Sequence, residues 1–97
     1  MEFEIVLARH AVEDFQRLSA RDRSILRDAL ERHLRQEPGK ESRSKIKRLR
    51  GVNRPQYRLR VGDLRVFYDV AEGAVEVLAI IPKAQADDWL KDMGGQR

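Results

Sequence analysis

The sequence contains no cysteine, only three prolines and one tryptophan, and no apolar run that approaches the length of a membrane-spanning helix. Without cysteine the chain can form neither a disulfide bond nor a thiolate metal site, and it has no thiol nucleophile. The first residues, Met1 to Glu4, carry acidic rather than basic side chains, unlike a secretory signal peptide. These absences predict a soluble protein of the reducing cytoplasm that does not enter a membrane.

The length of the chain, 97 residues, limits it to one domain. A chain of this size buries roughly 60 to 70% of the surface that it exposes when unfolded, which is enough for a core without a covalent cross-link. We expect a single domain over residues 1–93 and a flexible tail over residues 94–97, which begins with two glycines.

Positive charge is concentrated in the middle of the chain. Residues 43–68 hold one anionic side chain, Asp63, and nine cationic ones: Arg43, Lys45, Lys47, Arg48, Arg50, Arg54, Arg58, Arg60 and Arg65. The whole chain has a net charge of +4, so the remainder is net negative. Such segregation is typical of a protein that binds a polyanion, since a surface that needs only solubility intersperses the two signs. The sequence predicts a nucleic-acid partner, and a solvated basic face is the alternative.

Residues 57–68 have the pattern of a β-hairpin. Apolar and polar residues alternate on both sides of Gly62-Asp63, a pair suited to a two-residue type II′ turn. A two-residue loop fixes the register, so that Arg60 lies opposite Arg65. Like charges directly opposed destabilise a sheet, and a bound anion would relieve the repulsion. The outward face of this hairpin collects Arg58, Arg60, Arg65 and Phe67.

The N-terminal third predicts a strand followed by two helices. Alternation over residues 3–7 indicates the strand, and apolar spacing of three and four residues indicates a helix over residues 9–18. Ser19 is placed to cap a second helix, which Pro38-Gly39 ends. Residues 40–56 are irregular, and we expect a basic loop or an edge segment there.

A second hairpin follows the first. Glu72-Gly73 separates the strand that starts at residue 64 from a β-prone run over residues 74–81. If this turn also has two residues, the pairs across the strands are Val70–Val75, Tyr68–Val77, Val66–Ala79 and Leu64–Ile81. Pro82 ends the sheet, and a short helix that includes Trp89 follows it. The face turned away from the helical hairpin would then be bare and would carry Arg58, Arg60, Arg65, Phe67, Asp69, Glu76, Leu78 and Ile80.

The predicted order of elements is β-α-α-β-β-β-(α). It defines a two-layer α+β domain, with an antiparallel-rich four-stranded sheet and an N-terminal helical hairpin on one face. We interpret the loop cations as contacts to phosphates, which strengthen binding without reading sequence; they are Lys45, Lys47, Arg48, Arg50 and Arg54. Trp89 is either a base-stacking surface or, as we favour, a core anchor.

Other side chains with catalytic chemistry have simpler interpretations. His10 and His33 lie on the predicted helices, on the far side of the sheet from the basic face, and we assign them structural roles. The pairs Asp87-Asp88 and Asp69/Glu76 lack any further ligand at metal-binding spacing, so we expect neither a metal nor another cofactor.

The order of elements, together with Leu49-Arg50-Gly51, the hairpin over residues 57–68 and the valine-rich strand over residues 74–81, resembles the RelE/ParE superfamily of bacterial toxins. The similarity covers essentially the whole chain. In the RelE branch it implies a toxin of a type II toxin–antitoxin system, a ribosome-dependent endoribonuclease that cuts mRNA and is neutralised by an antitoxin protein. The implied partners are therefore the antitoxin, the ribosome and mRNA.

The resemblance also implies roles for individual residues. Arg58 and Arg60 fall on the paired basic residues of the central strand, and Arg65 falls on the arginine that holds the phosphate. In the family, a basic residue after the last strand assists the leaving group, and Lys83 is the cation nearest to that position in this sequence. The implied reaction is an internal phosphoryl transfer without metal, in which the ribose 2′-oxygen attacks the adjacent phosphorus.

Two departures from the RelE pattern keep an alternative open. Residues 58 and 60 are both arginine, which stays protonated and is a poor general base. Residues 82–89 lack the C-terminal tyrosine of many active members. The alternative is a ParE-like poison that binds DNA gyrase or another protein without catalysis. A third possibility is a relic that only binds RNA or its antitoxin.

Overall fold

The computed structural model describes residues 2–94. Gly94 is the last residue of the final helix, and residues 95–97 of the expected tail lie outside the described residues. The elements, in chain order, are β1 (Glu4–Leu7), α1 (Arg9–Gln16), α2 (Ala20–Leu34), β2 (Ile46–Arg48), β3 (Tyr57–Val61), β4 (Leu64–Ala71), β5 (Ala74–Pro82) and α3 (Lys83–Gly94). No helix within this part of the chain is long and apolar enough to cross a bilayer.

The strands form one sheet in the order β1-β5-β4-β3-β2. β1 pairs with β5 in parallel, and the other three pairs are antiparallel. The α+β class is confirmed, but the sheet has five strands instead of the predicted four. The additional strand, β2, lies in the segment that we assigned to a loop or an edge. It is only three residues long, and Ile46 is its one buried residue, which is too little for an alternating pattern.

The helical hairpin covers one face of the sheet, as expected. Ser19 caps α2, because its hydroxyl accepts a hydrogen bond from the amide of Asp22 at 3.1 Å. The core between the two layers includes Ala11, Leu26, Leu30, Leu34, Leu59, Val66, Tyr68, Val75 and Val77. The hydroxyl of Tyr68 donates to the carbonyl oxygen of Pro38 at 2.7 Å and joins the sheet to the segment after α2.

The second hairpin contains a β-bulge that the sequence did not reveal. The predicted pairs Val70–Val75 and Tyr68–Val77 are present, but the register then shifts by one residue. Val66 therefore pairs with Ile80, and Leu64 pairs with Pro82. The predicted pairs Val66–Ala79 and Leu64–Ile81 are wrong for this reason, since Leu78 is an extra residue on β5.

The bulge also changes which side chains face the core. Ile80, expected on the bare face, turns into the core and is only 3% exposed. The amide of Ile80 donates at 2.9 Å to a carboxylate oxygen of Asp14, on α1, so a helix side chain holds the bulged strand. Ile81 takes the opposite face, beside Arg65.

The far face of the sheet is not bare, because α3 packs across it. The Trp89 ring stacks on Phe67 with 4.7 Å between the ring centroids, and Phe67 is only 1% exposed. Ala86 of α3 is buried as well. The expectation of an uncovered face is therefore wrong, and a third layer closes part of it.

Candidate functional site

Arg58 and Arg65 both line a cavity of about 220 Å³ beneath α3. β3 supplies Arg58, β4 supplies Arg65, and the first two turns of α3 supply Lys83 and Asp87. The remaining lining residues are apolar: Leu49, Phe67, Ala86 and Leu90. We call this the arginine cavity. It has a cationic floor with apolar walls, which raises the strength of any electrostatic contact inside it.

Arg65 is buried and has no carboxylate partner in the part of the chain that the structure describes. Its side chain is held by neutral acceptors, since Nη1 donates to the carbonyl oxygens of Gly62 at 2.9 Å and of Leu64 at 3.0 Å. The residue is 8% exposed, and no ion pair among residues 2–94 involves it. Burial, followed by the charges of Arg58 and Arg60, lowers the pKa of Arg65, and Asp63 opposes this. Its positive charge is therefore poorly compensated in the free protein.

Arg58 adds an unused hydrogen-bond donor. Its Nε is buried and makes no hydrogen bond to any residue that the structure describes. A buried donor without a partner costs about 1–3 kcal/mol, and native proteins keep few of them. Arg58 lines the arginine cavity, so a rotation of its guanidinium towards the cavity would let this nitrogen donate to an anion with several acceptor oxygens.

Arg54 differs from Arg58 and Arg65, because two carboxylates compensate its charge. Asp69 and Glu76 lie directly opposite each other on β4 and β5, so they repel. Arg54 bridges them, donating to Asp69 at 2.7 Å and to Glu76 at 2.9 Å. The hydrogen bond that Arg54 donates to the Asp69 carboxylate raises the pKa of Arg54. The opposed pair Arg60–Arg65 has no such bridge within the described chain.

The other cations that the sequence analysis assigned to the site do not line the arginine cavity. Arg60 pairs with Arg65 as predicted, but it lines a different cavity, beside α2. Lys47 and Arg48 are exposed on the edge strand β2, and the guanidinium of Arg48 lies 5.0 Å from the centre of the Tyr57 ring. Lys45 and Arg50 are exposed on either side of β2. Arg54 is occupied by carboxylates, and Trp89 packs on Phe67, which was the favoured interpretation of the tryptophan.

Sequence reasoning missed Asp87 as a member of this cavity. It treated Asp87 only as half of a metal pair with Asp88. The available signal was spacing, because Asp87 follows Lys83 by four residues and therefore lies on the same face of α3. Asp87 is the one carboxylate among the residues that line the arginine cavity. Arginine stays protonated, so this carboxylate is the lining group that can accept a proton.

Several known proteins are similar to this chain. A family model described as ParE toxin of type II toxin-antitoxin system, parDE, matches residues 5–87. The archaeal RelE–RelB complex from Pyrococcus horikoshii OT3 is 25% identical with a TM-score of 0.64, and the match covers 88% of this chain and 99% of that one.

Two further solved structures share the fold. E. coli toxin RelE, in the free state and doubly substituted, is 22% identical with a TM-score of 0.69, and the match covers 99% of this chain and 98% of that one. The RelBE2 toxin–antitoxin complex from Mycobacterium tuberculosis is 20% identical with a TM-score of 0.67, covering 84% and 99%. No curated protein sequence matches the chain. Since the family model spans most of its length, the chain belongs to the ParE toxin family of type II toxin–antitoxin systems, within the RelE/ParE superfamily.

Proposed function

We propose that this toxin cleaves mRNA on the ribosome and that the arginine cavity holds the phosphate at which the strand is cut. The observation that supports this most directly is the buried guanidinium of Arg65, which has no carboxylate partner among residues 2–94 and shares the cavity with Arg58, whose Nε is unsatisfied there. A phosphate would supply both the missing charge and the missing acceptors. The resemblance of the sequence to the RelE branch implies RNA as the source of that phosphate.

The proposed reaction is an internal phosphoryl transfer. The ribose 2′-oxygen bonds to phosphorus, the bond from phosphorus to the 5′-oxygen breaks, and the products end in a 2′,3′-cyclic phosphate and a 5′-hydroxyl. Arg58 and Arg65 stabilise the charge that builds on the phosphoryl oxygens in the transition state. The carboxylate of Asp87 accepts the 2′-hydroxyl proton, and the ammonium of Lys83 donates a proton to the departing oxygen.

The second candidate is a poison of DNA gyrase that does no chemistry. The match to the ParE family model favours it, as does the absence of histidine from the cavity. In that case the arginine cavity would bind a phosphate or a carboxylate of the target without breaking a bond.

One experiment separates the two candidates. The purified toxin is added to a reconstituted translation reaction, and the 5′ ends of the mRNA are mapped. We expect cuts in phase with codons, ends that carry a 5′-hydroxyl, and no cut where the message has a 2′-deoxyribose at the scissile position. Arg65→Met should abolish the cuts, while Arg54→Met, which removes a cation from the same sheet, should keep them. Intact mRNA together with trapped gyrase–DNA breaks would contradict the proposal.

We also propose an acidic antitoxin as the partner that neutralises the toxin. Two of the solved relatives are complexes of a toxin with its antitoxin, and the basic segment over residues 43–68 is complementary to an acidic peptide. Co-expression with the product of a small neighbouring reading frame should restore growth and yield a complex that survives purification. Restored growth without any complex would contradict this assignment.

A further inference from the structure

A second cavity with cationic walls lies on the other side of the β3–β4 hairpin. It has a volume of about 270 Å³ and is formed by α2, the loop before β2 and the hairpin turn. Its cationic lining residues are Arg32, Lys45 and Arg60, and the other members are Ile25, Asp28, Ala29, His33, Val61 and Gly62. We call it the α2 cavity.

Within the described residues, none of the three cations of the α2 cavity has a carboxylate partner. None of the ion pairs among residues 2–94 involves Arg32, Lys45 or Arg60. Asp28 lines the same cavity one helical turn before Arg32, yet it forms no ion pair with it in the described structure. A cavity with three free cations and one carboxylate remains net positive.

The backbone fixes the positions of two of these cations. The amide of Arg60 donates to the carbonyl oxygen of Lys45 at 2.9 Å, so the two residues are adjacent across the edge of the sheet. The hydroxyl of Ser42 accepts from the amides of Lys45 at 3.1 Å and of Ile46 at 3.0 Å, which orders the turn before β2. The basic residues therefore start from defined backbone positions and not from a mobile loop.

His33 lines the same cavity as Arg32 and Lys45. Burial, followed by the charges of Lys45 and Arg32, lowers the pKa of His33. The neutral imidazole is favoured, because partial burial disfavours a charged ring and the two neighbouring cations repel it.

Arg60 connects the two cavities. It lines the α2 cavity and lies directly opposite Arg65, a lining residue of the arginine cavity, across β3 and β4. A strand of nucleic acid that enters the arginine cavity would pass Arg60 on its way to Arg32 and Lys45. Tracks of cations that follow the backbone in this manner are how single strands are bound.

We propose that the α2 cavity is a second phosphate subsite, which holds the RNA strand one or more nucleotides away from the phosphate in the arginine cavity. This proposal rests on the proposed function for the identity of the polymer. It assigns to Arg32 and Lys45 a role in binding and none in the bond-breaking step.

The test measures how salt weakens the binding of two uncleavable probes, a 2′-O-methyl RNA dinucleotide and a nonanucleotide, by fluorescence anisotropy. Each phosphate contact to a single strand contributes about 0.7 to the slope of log K against log salt. The double variant Arg32→Gln/Lys45→Gln removes two cations of one phosphate subsite, so it should lower the slope for the nonanucleotide by about 0.7. The dinucleotide has one internal phosphate and should bind the variant as it binds the unsubstituted protein.

A matched control removes the same charge elsewhere. Arg9→Gln/Arg21→Gln substitutes two exposed cations that line neither cavity, and it should leave the slope for the nonanucleotide unchanged. A second measurement follows the pKa of His33 by NMR, which should rise when the nonanucleotide binds, because phosphate offsets the charges of Lys45 and Arg32. The ring of His10 serves as the internal reference.

The outcomes separate this proposal from the proposed function. Equal slopes for the double variant and the control, an unchanged pKa of His33, or no binding of the nonanucleotide would each overturn the α2 subsite, even if mRNA is cut. The expected slope and His33 shift without any mRNA cleavage would keep the subsite and overturn the nuclease activity.

Discussion

Arg54 and Arg58 provide a direct test of the idea that this protein binds phosphate with the cations that its own carboxylates leave free. They are four residues apart, and both belong to the basic segment over residues 43–68. Arg54 is held by Asp69 and Glu76, whereas Arg58 has a buried Nε with no partner in the described chain. The same substitution, to methionine, removes one charge from each position.

The structure gives opposite expectations for the two variants. Arg54→Met removes two ion pairs whose arginine is 58% exposed, each contributing about 0.2–1 kcal/mol, and leaves Asp69 opposite Glu76. We expect the free energy of unfolding to fall by about 1–2 kcal/mol. Arg58→Met breaks no ion pair among the described residues, so its stability should be within about 0.5 kcal/mol of the original or higher.

For RNA affinity we expect the opposite ranking, with the larger loss in Arg58→Met. A hydrogen bond to a charged group contributes about 1.5–3 kcal/mol, so Arg58→Met should weaken the binding of an uncleavable 2′-O-methyl RNA by about 10- to 150-fold. Arg54→Met should change the affinity by less than about threefold, an effect of net charge alone. Urea denaturation gives the stabilities, and anisotropy at fixed salt gives the affinities.

Two results would refute the reasoning. One is an equal loss of RNA affinity in both variants, which would mean that pairing with carboxylates does not withdraw a cation from phosphate binding. The other is a large loss of stability in Arg58→Met, which would mean that its guanidinium is compensated within the fold.

Three further predictions concern single groups. Tyr68→Phe should lower the free energy of unfolding by about 1–2 kcal/mol, because it leaves the buried carbonyl of Pro38 without a donor. Tyr57→Phe removes no such bond within the described chain and serves as the control, and thermal melts compare the two variants. Asp87→Asn should slow mRNA cleavage by about 10²- to 10⁴-fold, the range of general base catalysis, with RNA affinity kept or raised; an unchanged rate in single-turnover assays would remove Asp87 from the mechanism. The lowered pKa of His33 means that the unfolded chain binds more protons than the folded one as pH falls below about 6.5. Stability should therefore decrease with falling pH, and less steeply in His33→Gln, as urea titrations between pH 7.5 and 5.5 will show.

The sequence was sufficient for the first hairpin and for the helical layer. The pairing of Arg60 with Arg65 follows from a two-residue turn and strict alternation, which leave only one register. The cap at Ser19 follows from local chemistry, because its hydroxyl bonds an amide only three residues away. Both are decided by neighbours in the sequence, so no tertiary information is needed.

The register of the second hairpin depends on a tertiary contact that the local sequence does not reveal. Its turn also predicts a register, and the first pairs obey it, but the bulge at Leu78 shifts the pairs that follow. The carboxylate of Asp14, which lies on α1 and 66 residues earlier in the chain, accepts a hydrogen bond from the amide of Ile80. Nothing near residue 78 encodes this contact, so the run over residues 74–81 appeared continuous.

The last helix was predicted to exist, but its position was not. Residues 83–94 are only moderately amphipathic as a pattern, and the face that they cover carries arginines, which gives no sign of a buried surface. The apolar contact is made by single residues, Trp89 on Phe67 and Ala86 above the sheet. Sequence reasoning consequently found the cations of the site but expected them in open solvent.

The position of α3 changes the physics of the site. If Arg65 lay in water, its repulsion from Arg58 and Arg60 would be screened, and a phosphate would gain little by binding there. By covering Phe67 and burying Arg65, α3 makes the uncompensated charge costly in the free protein and makes its pairing with an anion correspondingly favourable. The same helix supplies Lys83 and Asp87 to the arginine cavity. Loss of α3 should therefore remove the proposed acid and base groups and also weaken the binding of phosphate by the arginines, although the sheet that carries them would be intact.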